Sequence, residues 1–155
     1  MRKVLHFDSP REPYHCDAAV VWCYDNRFEA ALRKLLKRIG AAHFDPIRVA
    51  GGAKCLATPD RESEREFVLD QIRKSRRLHG TERVVLMVHS DCGAYGGLAA
   101  FGGDAQAEAR HHADELRRAE ACLRQALPEV SVVCYYVDFV GIWASDPEPP
   151  SAHQP

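Results

Sequence analysis

Apolar positions along the chain fall into alternating rhythms. Ala18-Ala19-Val20-Val21-Trp22-Cys23 is a continuous apolar run, the pattern of a strand buried on both faces. After it Phe28, Ala31, Leu32, Leu35, Leu36 and Ile39 recur at helical spacing, and Gly40 stands where a C-terminal cap belongs. Arg33, Lys34, Lys37 and Arg38 occupy the other side of that helix and read as a solvated face. A second strand is predicted over residues 44–50, ending at Gly51-Gly52. The second helix is predicted to start near Thr58-Pro59 or at the box Ser63-x-x-Glu66, and to run through Phe67, Val68, Ile72 and Leu78 to Gly80. Val84-Val85-Leu86-Met87-Val88 is a third buried strand, followed by a turn with Gly93, Gly96 and Gly97. A long helix then starts near Asp104, shows Leu116, Ala119 and Leu123 on one face, and stops at Pro128. A fourth strand covers residues 130–137.

Strand and helix thus alternate four times, which predicts a single α/β domain over residues 18–144: a mostly parallel, four-stranded open sheet flanked by helices. Residues 1–17 read as an extended arm, since Pro10 and Pro13 forbid a regular helix there. Residues 145–155 carry four prolines and are expected to be a disordered tail. In an open sheet of this kind, sites lie at the carboxyl ends of the strands where the strand order reverses.

Composition narrows the function. Lys plus Arg is 21 and Asp plus Glu is 22, a net charge of −1, which excludes a nucleic-acid binder driven by bulk charge. No apolar run approaches the roughly 18 residues of a membrane helix. Arg2 and Lys3 are followed at once by His6 and Asp8 rather than by an apolar export segment. The expected location is therefore the cytoplasm, with no membrane and no nucleic-acid partner. There the 6 cysteines are expected to be metal ligands or buried apolar residues rather than a disulfide framework.

Two strand ends carry the chemistry. The first strand runs into Cys23-Tyr24-Asp25-Asn26-Arg27, and the third into His89-Ser90-Asp91-Cys92-Gly93. Neighbouring strands would bring Cys23, His89 and Cys92 into one crevice, a Cys2His set that suits one zinc ion per chain and leaves a fourth position open. Water there can lose a proton near neutral pH to give a zinc-bound hydroxide. Asp25 either caps the following helix or accepts the hydrogen of that hydroxide and aims it at a substrate, with Arg27 holding the carboxylate. Released by Arg27, Asp25 becomes a possible fourth ligand that closes the site.

Cys23-x-Asp25-x-Arg27 followed by His89-x-x-Cys92-Gly93 resembles the zinc signature of the β-class carbonic anhydrases, closest to their short prokaryotic branch. Arg48-Val49-Ala50-Gly51-Gly52 and Tyr136-Val137-Asp138-x-x-Gly141 resemble two further segments of that family, so the likeness spans about residues 18–141. It implies zinc on Cys23, His89 and Cys92, and an Asp25–Arg27 dyad. It implies reversible hydration of carbon dioxide to bicarbonate. The implied assembly is a homodimer or a multiple of dimers. Gly51 and Gly93 would let backbone approach the metal and substrate. Asn26 and Val49 stand where the family has Ser and Asn. These departures motivate two rivals: hydrolysis of a carbon dioxide analogue such as carbonyl sulfide, and a non-catalytic zinc-binding assembly or sensor protein.

The remaining histidines and cysteines take blander readings. His111 and His112 are expected to be exposed helical residues paired with Glu115 and Glu108. His6, Asp8, His15 and Cys16 offer a second metal set in the arm, Cys55 lies near the site, and Cys122 and Cys134 read as core. His43 and Tyr95 are conceivable proton-shuttle groups.

Overall fold

The computed structural model describes residues 1–145. Of the expected tail, residues 146–155 lie outside the described residues, while Ser145 donates its backbone N–H to the carbonyl of Cys134 at 3.0 Å. Residues 1–17 form neither helix nor strand.

Five strands build one sheet: β1 (Ala18–Trp22), β2 (Phe44–Arg48), β3 (Arg83–His89), β4 (Ser131–Val137) and β5 (Ile142–Ala144). Their spatial order is β2-β1-β3-β4-β5. The first four are mutually parallel, and β5 returns antiparallel on β4. The expected mostly parallel sheet is thus present with a fifth strand added at its edge. Three residues are too few to carry a periodic pattern. The return is made by Asp138, whose Oδ1 accepts the N–H groups of Val140 and Gly141, and whose Oδ2 accepts the Trp143 indole N–H.

The continuous apolar runs follow from helices on both faces. Ala18, Val20, Trp22, Val85 and Met87 point one way, into a cluster with Phe28, Leu32 and Leu36. The last two lie on α1 (Glu29–Arg38). Ala19, Val21, Val84, Leu86 and Val88 point the other way. There they meet α2 (Lys54–Ala57), α3 (Glu62–His79) and α4 (Ala105–Ala126). The second predicted helix is therefore split: a short α2 precedes Thr58-Pro59, and α3 begins at Glu62, between the two expected starts. Glu64 fixes that start by accepting the Asp60 N–H. The other predicted caps hold. Gly80 ends α3 at φ +66, and Asp104 accepts the Gln106 and Ala107 N–H groups at the start of α4.

One helix face differs from its expectation. His112, Glu108 and Glu115 are fully buried, because α4 packs on β4 with His112 beneath the rings of Tyr95 and Tyr136. His112 Nε2 stands 3.7 Å from Glu108 Oε1, too far for a hydrogen bond, and both its ring nitrogens are buried without a hydrogen-bond partner. His111 keeps Tyr95 and Phe101 as ring neighbours.

Candidate metal centre

Strand order reverses between β1 and β3, since the chain leaves β1 toward β2 on one side and β3 lies on the other. Cys23 follows the end of β1, His89 ends β3, and Cys92 lies three residues on. Their donor atoms all lie within 4.8 Å of one another, and all three side chains are buried. His89 packs edge-on against Trp22, at 5.4 Å between ring centroids, and tilted on Phe28 at 4.9 Å. Its Nδ1–H donates to the Ser90 carbonyl at 2.8 Å. Nε2 is left buried with no hydrogen-bond partner. An unpartnered imidazole nitrogen facing two thiols is an expensive arrangement without a cation. With Nδ1 fixed by a carbonyl, Nε2 is the nitrogen presented as a ligand. The donor set therefore fits a thiophilic divalent ion.

Charge is shared unevenly across this group. Contact with Cys92 chiefly, together with His89 and nearby backbone, draws the Cys23 thiol well below its ordinary value. The Cys92 thiol moves the opposite way, pushed up by its pairing with Cys23 and by burial. Burial works against protonation of His89, but the Cys23 thiol, the Ser90 carbonyl and the Asp25 charge outweigh it and raise its pKa.

Asp25 and Arg27 stand at the mouth of the same cleft. Arg27 Nε and Nη2 grip both oxygens of Asp25 at 2.7–3.1 Å. The Arg27 backbone N–H donates to Asp25 Oδ1 at 2.9 Å, so both sequence readings of Asp25, cap and dyad member, describe one geometry. Arg27 lowers the Asp25 carboxyl to about 2. Asp25 Oδ2 lies 3.9 Å from His89 Nε2, beside the triad.

Sequence reasoning missed the residue that fixes Arg27 from the far side. Asp91 Oδ2 accepts from Arg27 Nη1 at 2.9 Å, and its carbonyl accepts from Nη2 at 3.0 Å. Asp91 is the single non-glycine residue with positive φ (+51) among the described residues, a conformation Asp tolerates better than most. Its Oδ1 accepts the Leu98 N–H and its own N–H donates to the buried Glu108. The only sequence signal was an acid inside the His-x-x-Cys turn.

The glycines divide. Gly51 and Gly93 both line the cleft; Gly51 has φ +75, while a Cβ on Gly93 would meet nothing within 4 Å. Close approach is required one residue later, at Gly52, where a Cβ would stand 2.3 Å from the Met87 carbonyl and 3.0 Å from the Cys23 nitrogen. Beside the cleft, sharing Ala50 and Ala94, lies a pocket walled by Val49, Cys55, Phe67 and Val68. Tyr95, one conceivable shuttle, is held by Glu115 at 3.1 Å, and burial drives its hydroxyl pKa up. His43 is exposed and its N–H donates to Asp17. Among the described residues no disulfide is formed.

A family model described as "Putative carbonic anhydrase" matches residues 14–143. An uncharacterized protein of Rickettsia bellii is 23% identical over 126 residues, which is 79% of this chain and 77% of that protein. An uncharacterized protein of Rickettsia conorii is 24% identical over 126 residues, 79% of this chain and 68% of that protein. Among solved structures, carbonic anhydrase from Glaciozyma antarctica aligns with a TM-score of 0.57 at 20% identity, over 86% of this chain and 84% of that one. Carbonic anhydrase from Streptococcus mutans aligns with a TM-score of 0.59 at 17% identity, over 90% and 88% of the two chains. These structures share the fold.

Proposed function

The chain belongs to the carbonic anhydrase family whose model spans residues 14–143, and from that premise we propose that it is a zinc-dependent carbonic anhydrase, catalysing reversible hydration of carbon dioxide to bicarbonate and a proton. In this reading Cys23, His89 and Cys92 hold the zinc. The observation that carries the reading is the buried His89 Nε2, without a hydrogen-bond partner, facing two buried thiols.

Zinc at such a site acts as a Lewis acid and brings coordinated water toward ionisation near neutral pH. The chain's own residues then divide the remaining work. Asp25, ionised and pinned by Arg27, accepts a hydrogen bond from the attacking oxygen at a carboxylate oxygen and so fixes which lone pair faces the substrate. Arg27 keeps Asp25 off the metal and its charge in place. Trp22 and Phe28 hold the His89 ring and exclude water from its rear face. The adjoining pocket sets Val49, Cys55, Phe67 and Val68 beside Lys54, Asp60, Ser63 and Glu64, an apolar wall for a small substrate with a charged rim. We further propose a homodimer or a multiple of dimers in the cytoplasm. Its support is the exposure of three large apolar side chains, Phe139 and Val140 in the turn before β5 and Trp143 on β5. No helix among the described residues is long and apolar enough to cross a membrane.

The test is zinc content measured together with initial rates of carbon dioxide hydration between pH 7 and 9. Zinc-loaded protein no faster than buffer overturns the hydratase reading. Carbonyl sulfide turned over much faster than carbon dioxide would reassign the substrate.

A further inference from the structure

At the amino end of the sheet, remote from the cleft, a second group of ligand-type side chains converges. Cys16 precedes β1, Asp45 is the second residue of β2, and His79 is the last residue of α3. The Cys16 thiol donates to Asp45 Oδ1 at 3.2 Å. His79 Nδ1 lies 2.7 Å from Asp45 Oδ2 and 3.0 Å from Oδ1. One donor atom from each of the three lies within 4.8 Å of the others. Six residues, five of them the strand β1, separate Cys16 from Cys23, so the two groups stand about 20 Å apart.

We propose that Cys16, Asp45 and His79 form a second metal site, specific for a zinc-class divalent ion and independent of the function proposed above. One thiolate, one imidazole and one carboxylate form a mixed soft and borderline donor set that selects zinc or cobalt over magnesium or calcium. Around a tetrahedral ion with ligand bonds of about 2.0–2.3 Å, donors stand about 3.3–3.7 Å apart. The Cys16–Asp45 Oδ1 contact and the His79–Asp45 Oδ1 contact would open by a few tenths of an ångström to meet that spacing. On binding, the Cys16 thiol would release its proton to solvent, His79 would carry its proton on Nε2, and the sulfur, the Nδ1 lone pair and an Asp45 oxygen would face the metal.

The supports of a metal site are also present. Ser75 Oγ donates to Asp45 Oδ2 at 2.6 Å and contacts Thr81 Oγ1 at 2.6 Å, which fixes the carboxylate plane. Tyr14 stacks on the His79 ring at 4.3 Å. The Cys16 N–H donates to the His79 carbonyl at 3.0 Å, and the Asp17 N–H to the His43 carbonyl at 2.7 Å. Backbone bonds thus hold the end of the arm against α3 and the start of β2, whatever the side chains do. Cys16 is buried, while His79 and Asp45 are 24% and 19% exposed, leaving an entry path and room for water as a fourth ligand. The arm does contribute a metal-type cysteine, but its partners are Asp45 and His79 rather than the His6, Asp8 and His15 of the sequence expectation.

The test is a metal count on the full chain, stripped with chelator, reloaded with zinc or cobalt(II) and desalted. The wild type is expected to retain two equivalents. Cys92→Ser should retain one, with a cobalt spectrum carrying a single-thiolate charge-transfer band. His79→Gln and Cys16→Ser should each retain one, and Cys92→Ser combined with His79→Gln none. Unchanged stoichiometry in both His79→Gln and Cys16→Ser overturns the site. A wild type with one equivalent, insensitive to Cys92→Ser and lost in His79→Gln, would uphold this site while defeating the one proposed in the cleft. Should the cluster variants fold poorly, thermal unfolding of Cys92→Ser decides. Zinc should raise its Tm by several degrees, and no rise overturns the proposal.

Discussion

Both Asp25 oxygens accept from Arg27, and Arg27 also donates from Nη1 and Nη2 to Asp91. The carboxylate at the cleft mouth is thereby both charged and immobile. Its pKa is depressed from 3.8 to about 2. A depressed carboxyl contributes stability that is complete above its unfolded value and lost as pH falls through the folded one. Asp25 therefore stays ionised from about pH 4 upward. Asp25→Asn should keep its zinc and lose hydration activity by about 100-fold or more, whereas Cys92→Ser should lose the cleft zinc itself; metal analysis and stopped-flow rates on the same preparations check both. Asp91 acts one step further back. Asp91→Asn keeps a side chain that tolerates φ +51 but removes the negative charge that faces Arg27. It should slow hydration about tenfold through a looser Asp25, with zinc content and Tm unchanged. Asp91→Ala should cost stability as well, because the Leu98 N–H loses its acceptor.

At the scale of elements, the site depends on three chain segments meeting at close quarters: the end of β1, the turn after β2 and the end of β3. Val49 N–H donates to the Trp22 carbonyl and Ala53 N–H to the Met87 carbonyl, stitching the turn across both strands. Gly52 lies between those bonds at φ +57 with no room for a side chain. Gly52→Ala combines left-handed strain with a backbone clash and should destabilise the fold by about 3 kcal/mol, read as a lower urea midpoint with unchanged m-value. The Gly51-Gly52 pair was legible as the end of a strand. Which of the two glycines was sterically indispensable was not, because that depends on Met87, which lies 35 positions further along the chain and meets the turn only once β3 is in place.

Taken whole, the molecule buries ionisable groups on α4 that no local pattern assigns to the interior. His112 is held down to about 4, chiefly by burial and secondarily by His111 and His89. It faces Glu108 on its own helix, whose carboxyl is raised by burial, the Tyr95 ring from the turn after β3, and Tyr136 on β4. The unfolded chain protonates this histidine near 6.5 while the folded one resists until about 4. At this site the unfolded state thus binds more protons between those values, and the contribution of His112 to stability falls as pH drops through that window. His112→Phe should flatten this acid limb, so that its urea midpoint changes less than that of the wild type between pH 7 and pH 4.5.

What the sequence determined by itself was whatever depends on local order. Continuous apolar runs marked β1 and β3 as buried strands, helical spacing and caps marked α1 and α4, and the alternation fixed a parallel sheet. That sheet put Cys23, His89 and Cys92 at adjacent strand ends. Tertiary structure alone decided the contacts made by distant segments. Helical spacing shows which residues share a face but not what the face docks against, so the burial of His112 was invisible. A hydrogen bond from Arg27 to Asp91 spans 64 positions, and the acid inside the His-x-x-Cys turn does not by itself say which cation it meets. Cys16 likewise met Asp45 and His79 only because the sheet pairs β2 with β1 and returns the end of α3 to the same edge.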